Sequence, residues 1–184
     1  SVDEDYKHNI ARGDRFKGII EPQIMEQWFI DVNKDVLSYK GKKHSLKSML
    51  QDMVRSKDVT IIPERFEKGY FGWVDNLRDW CISRQLWWGH RIPVWYKEGS
   101  EPFVGEHAPD GEGWEQDPDT LDTWFSSALW TWSTLLDPEK KDLEIKEWFE
   151  QSQDRRFHPN QVMETGYDIL TFWVIRMMLM TGYV

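Results

Sequence analysis

HPNQVMETGYDILTFWVIRMMLM, residues His158 to Met180, contains the change of period that decides the fold. Val162 and Met163 read as the end of a strand, the residues around Gly166 as a tight turn, and Ile169 to Met180 as a buried helix. Strand, glycine-containing turn and helix in that order make half of a βαβ unit, which predicts an α/β fold with a parallel sheet. In open sheets of this kind the ligand crevice lies beyond the carboxyl ends of the strands, so METGYDI is the candidate site. Gly166 lets a ligand approach the backbone. Asp168 has two readings: a cap on the helix that follows, or an acceptor for vicinal hydroxyls such as those of a ribose.

Upstream, DPDTLDTWFSSALWTW places Leu121, Trp124, Phe125, Ala128, Leu129 and Trp132 on one helical face, with Asp119 or Thr120 as N-cap. HSLKSMLQDMVRS sets Leu46, Met49, Leu50, Met53 and Val54 at helical intervals after the turn Lys40-Gly41-Lys42. VTIIPERF predicts a short strand broken by Pro63, and WVDNLRDWCISRQLWWG a helix or turn leading into a strand. A more charged helix is expected over 138–151. IIEPQIMEQWFIDV reads as strand or extended chain, and the Gly- and Pro-rich run 97–113 as loop. No internal repeat or low-complexity tract is present.

The chain has 184 residues, 40% of them hydrophobic and 12 of them tryptophan, a composition that can fill a core and is far from that of a disordered chain. A net charge of −9 argues against a generally basic nucleic-acid surface and limits polyanion contacts to local patches such as Lys40, Lys42 and Lys43. Cys81 is the single cysteine, so no disulfide forms within the chain and no Cys-rich zinc knuckle is assembled. The five histidines are scattered, and no metal ligand set is assigned. Arg176 interrupts the most apolar stretch, which is shorter than a bilayer span of ~20 residues. No signal peptide opens the sequence, and a reducing, cytoplasmic setting without membrane contact is expected. The beginning, SVDEDYKHNIARGD, reads like that of a cut piece.

No Walker loop, no G-x-S-x-G elbow and no G-x-G-x-x-G occurs, and no residue is assigned a catalytic role. Paired acids such as Asp119 and Asp122 read as solvated charge or caps. Trp124 and Trp173, each on an apolar helical face, read by default as core. A Trp-rich carbohydrate-binding module is the alternative of a different class. It would require a β-sandwich, which the helical periodicity opposes.

Three stretches carry a resemblance: DWCISRQLWWGHRIPVWY, DPDTLDTWFSSALWTWSTL and FHPNQVMETGYDILTFWVIRMM. Together, in this order, they resemble the valyl-tRNA synthetases, a family of class I aminoacyl-tRNA synthetases. Asp122-Thr123-Trp124-Phe125-Ser126-Ser127 and Ser83 to Gly89 differ from the D-V-W-F-D-S-G and S-R-Q-R-Y-W-G patterns of the isoleucine enzymes, the nearer alternative. The resemblance implies a part of a Rossmann-like nucleotide-binding fold with parallel strands and helices, plus a short extended segment from the inserted editing domain. It divides the chain into 1–25, the editing-domain tail; 26–96, catalytic domain; 97–116, a loop-rich insertion; and 117–184, catalytic domain with the adenylate-binding strand-turn-helix.

The same resemblance makes Trp124 and Trp173 walls of the amino-acid pocket. It sets Thr165, Gly166 and Asp168 against the aminoacyl-adenylate, and packs Trp87 and Trp88 into the core. Valine, ATP with Mg, and tRNA(Val) are then partners of a longer parent. H-I-G-H and K-M-S-K-S, which activate ATP in this class, are absent here, and ARGDRFK resembles the zinc-free versions of the editing-domain exit. The piece alone is therefore expected to be inactive, to carry no cofactor and not to hold tRNA tightly.

Overall fold

A computed structural model describes residues 9–14, 16–140 and 143–184. The parts of the editing-domain tail and of the ARGDRFK reading that fall on 1–8 and 15 lie outside the described residues, as do residues 141 and 142 of the expected helix over 138–151.

The described residues form a mixed α/β structure. After an extended stretch with one bridge, Arg12 to Ile19, β1 spans Phe29–Ile30, and β2 (Asp35–Tyr39) and β3 (Lys42–Ser45) make a hairpin. Helix α1, Leu46–Arg55, follows at once, and its five buried residues are the five that the periodicity selects: Leu46, Met49, Leu50, Met53 and Val54. Ser45 caps it through a box with Ser48, which satisfies N–H groups that the first turn leaves open.

The strand expected in VTIIPERF does not form. Its backbone closes the end of α1 instead: Lys57 turns at φ 62° and Val59 N–H donates to Met53 O at 3.0 Å. A 3-10 turn at Glu64–Phe66 then leads into α2, Glu67–Asp75.

Next come β4 (Trp80–Cys81), β5 (Ser83–Arg84), β6 (Val94–Tyr96), β7 (Phe103–Val104), β8 (Glu115–Gln116) and β9 (Thr120–Leu121). Every strand pair among the described residues is antiparallel: β1 with β4, β2 with β3, β5 with β9, and β7-β6-β8 as a three-stranded sheet. The parallel sheet expected from His158 to Met180 is not found among them, because Val162 and Met163 are extended but pair with no strand. The loop-rich run also has more order than composition suggests, since β7 and β8 flank β6 and Trp95 Nε1 donates to Gly105 O at 3.0 Å.

The helix expected from Leu121 onward begins later and breaks in two, α3 (Thr123–Ser127) and α4 (Trp130–Ser133), because Thr120 and Leu121 are used by β9. Its cap is Asp122 rather than Asp119 or Thr120. The charged helix is shorter, α5 at Ile145–Gln151. The chain ends in a continuous helical run: a 3-10 turn at Tyr167–Ile169, a π turn at Leu170–Val174 and α6 at Ile175–Tyr183.

The core lies where α6 packs on α1 and the α3–α4 pair, with α2 against α1 and the π turn, and Met49, Leu50, Tyr70, Val74, Ala128 and Ile175 are fully buried. Gly182 permits the packing on α1, since a Cβ there would lie 2.6 Å from Met49 Sδ. Tyr70 enters the core with its polar end satisfied, donating to Leu50 O at 2.8 Å. None of the described helices is long and apolar enough to cross a membrane.

Candidate functional site

The sequence-selected residues fall on two neighbouring parts of this frame. Thr165, Gly166 and Asp168 lead into the final helical run, Trp173 sits in its π turn, and Trp124 lies in the first turn of α3, which packs against that π turn. π turns are rare and are frequently found at functional sites.

Trp124 and Trp173 are both half-buried. Trp173 packs on the core cluster. The Trp124 ring lies 6.4 Å from Phe172, and Phe172 lies 6.5 Å from Trp73 on α2, so three aromatic side chains from three elements meet. Such contacts add about 0.5–1.5 kcal/mol each beyond burial.

Gly166 has an ordinary extended conformation, so its lack of a side chain matters for space: a Cβ would lie 2.5 Å from Asp168 Oδ1. The Asp168 carboxylate therefore folds back over the Gly166 backbone. Between the two readings of Asp168 the geometry is informative, because Gly166 is the N-cap and no side chain caps this turn. Asp168 is exposed, and so is Gly166 beside it.

Sequence reasoning missed the best-connected polar group here. Asp122, read as solvated charge or a cap, is 4% exposed. Its Oδ2 accepts from Trp80 Nε1 at 2.9 Å, Arg84 at 2.8 Å and Arg176 at 3.2 Å. Its Oδ1 accepts from the backbone N–H of Trp124 at 3.2 Å. Arg176 also lies 4.0 Å from the Trp80 ring centre, over its face. Burial pulls the Arg176 guanidinium below its usual pKa, and Asp122 acts in the opposite direction. The signal was an arginine inside an otherwise apolar helix, which needs an acid partner.

Beside this cluster a cleft of about 390 Å³ opens between α2, β4 and α6, lined by Trp73, Trp80, Arg84, Ile175 and Arg176 among others. No group of three or more His, Cys, Asp or Glu among the described residues is arranged to hold a metal.

Trp87 and Trp88 require a correction. They are expected in the core but are 106% and 93% exposed, on the loop that leaves β5 before Gly89. Among the described residues β5 pairs on one side only, with β9.

Comparison with known proteins agrees with this arrangement of stretches. The family model for tRNA synthetases class I (I, L, M and V) matches residues 4–110 and 101–183. The valine–tRNA ligase of Streptomyces coelicolor is 49% identical over 181 residues, 97% of this chain. Those of Oceanobacillus iheyensis and Bacillus subtilis are 46% and 44% identical, each over 95% of the chain. The chain spans 18% of the length of each of these relatives. With the family match running through all three diagnostic stretches and almost from end to end, the chain belongs to the class I tRNA synthetases (I, L, M and V).

Proposed function

We propose that this chain is an internal part of a valine–tRNA ligase, which joins valine to tRNA(Val) through valyl-adenylate made from valine and ATP with Mg. The observation that carries this is the likeness to valine–tRNA ligases, 44–49% identity over at least 95% of the chain. The Asp122-Thr123-Trp124 sequence, in place of the isoleucine-type pattern, supports the choice of amino acid.

Within that protein, 26–96 and 117–184 belong to a Rossmann-like catalytic domain working in the cytoplasm, 1–25 is the editing-domain tail, and 97–116 is an insertion. The two pieces of the family match overlap at 101–110, inside that insertion, which supports its limits. The extended residues at 162–166 form the edge at which a parallel strand of the parent pairs. Trp124 and Trp173 wall the valine side chain. Thr165, the Gly166 backbone and the Asp168 carboxylate face the adenylate, with Asp168 on the ribose hydroxyls. The exposed carboxylate folded over Gly166 supports this role for Asp168.

The test is Trp124→Ala in the full-length ligase that carries this sequence. An apolar pocket discriminates one methylene by only ~1–3 kcal/mol, so the widened pocket should use valine less well and admit isoleucine better, with ATP affinity unchanged. Loss of global stability with valine selectivity intact would return Trp124 to a core role.

A further inference from the structure

A carboxylate as buried as Asp122 needs hydrogen-bond partners to offset the water it has lost, and its partners come from three separate stretches of the chain. Trp80 and Arg84 lie on β4 and β5, Trp124 opens α3, and Arg176 lies on α6. A pair that served stability alone would be replaceable by apolar side chains of similar volume. The geometry here does something more specific. Oδ1 holds the backbone N–H of Trp124, at 3.2 Å, and so fixes the turn from which that indole projects. Oδ2 accepts from Arg176, at 3.2 Å, three residues beyond Trp173 and in the first turn of α6, which continues from the π turn that carries Trp173. Arg84 and the Trp80 indole N–H donate to the same oxygen, at 2.8 and 2.9 Å, and with the Oδ1 bond they restrain the orientation of the carboxylate.

We propose that Asp122 is a positioning residue for amino-acid recognition: one carboxylate ties the Trp124 turn to the Trp173 turn and thereby sets the width of the pocket between them. The inference rests on the reading of Trp124 and Trp173 as pocket walls. It adds a specificity determinant that does not touch the substrate. Groups that orient residues in direct contact with a ligand control function through fractions of an ångström, so the effect should appear in side-chain selection before it appears in ATP use.

The experiment is a double-mutant cycle in the full-length ligase, read by amino-acid-dependent ATP–pyrophosphate exchange. Asp122→Ala should raise the KM for valine about tenfold and lower the valine-to-isoleucine ratio of kcat/KM, while the KM for ATP stays within about twofold. In a Trp124→Ala background the same change should add less than about twofold, because the indole it positions is gone. Parallel rises in the valine and ATP KM values would overturn the inference, and so would full additivity with Trp124→Ala. If Trp124→Ala itself leaves valine KM and selectivity unchanged, the pocket reading fails and this inference falls with it, a pattern distinct from additivity. Should Asp122→Ala not fold, Asp122→Asn serves, since it keeps the size and one acceptor for the Trp124 N–H but loses the charge that holds the arginines. A valine-specific rise in KM of about threefold supports the role, and parental values overturn it.

Discussion

Asp168 and Ser45 both stand at the start of helical turns, yet only Ser45 caps one. That contrast makes Asp168→Asn a clean test at the scale of one residue. No cap is lost, so the melting temperature should hardly move. A charged hydrogen bond to a ribose hydroxyl is worth about 1.5–3 kcal/mol, so valyl-adenylate formation by the full-length ligase should fall at least about tenfold. Parental exchange rates in the Asn variant would leave the turn's role to the Gly166 backbone. The glycine turn between apolar runs is a local signal, which is why Gly166 and Asp168 stand out in the sequence, whereas Thr165 enters only through the family resemblance. Trp87 and Trp88 were not legible, since indole pairs are usually buried and nothing in SRQLWWG itself states that its loop points outward. Asp122 was half legible: its place before an apolar helix marks a cap, but its arginine partners lie 38 and 54 residues away.

Elements whose stability is local were read best. Helix α1 has its apolar stripe, its cap and its preceding turn within one short stretch, and all of these are present in the structure. Ser45→Ala removes the capping box, and chemical denaturation should show a loss of about 0.5–2 kcal/mol. The far end of the same element gives a pH prediction. Hydrogen bonds from Lys40, then Tyr39 and Ser56, hold the Asp58 carboxyl down at about 2. A folded pKa below the unfolded value contributes stability above the ordinary carboxylate range, and that contribution is lost as pH falls toward 2. Burial, and then the hydrogen bond to Asp58, push Tyr39 up to about 12, so its contribution is complete below pH 10 and lost as pH rises through 12. Asp58→Asn should remove the acid-side loss and return Tyr39 toward an ordinary phenol, as ultraviolet titration would register. The α3–α4 region was read less well, because Thr120 and Leu121 fit a helical face and a strand equally, and their pairing with Arg84 and Ser83 decides between them.

For the whole molecule, the α/β composition followed from local periods, but strand direction did not. Strand pairing depends on distant partners, and the described strands are mostly two or three residues long and joined in antiparallel pairs. The chain on its own contains no H-I-G-H and no K-M-S-K-S sequence to stabilise charge on the phosphates of ATP. It should therefore show no valine-dependent ATP–pyrophosphate exchange, and exchange above a no-enzyme control would refute that. The central claim, that these residues select valine, is tested most directly by the same assay on the full-length ligase with valine, isoleucine, leucine and methionine offered separately. Exchange should be fastest with valine and exceed that with isoleucine by at least about tenfold, the discrimination expected when one extra methylene must enter a fitted apolar pocket. Faster exchange with any of the other three, or none with valine, would contradict the assignment.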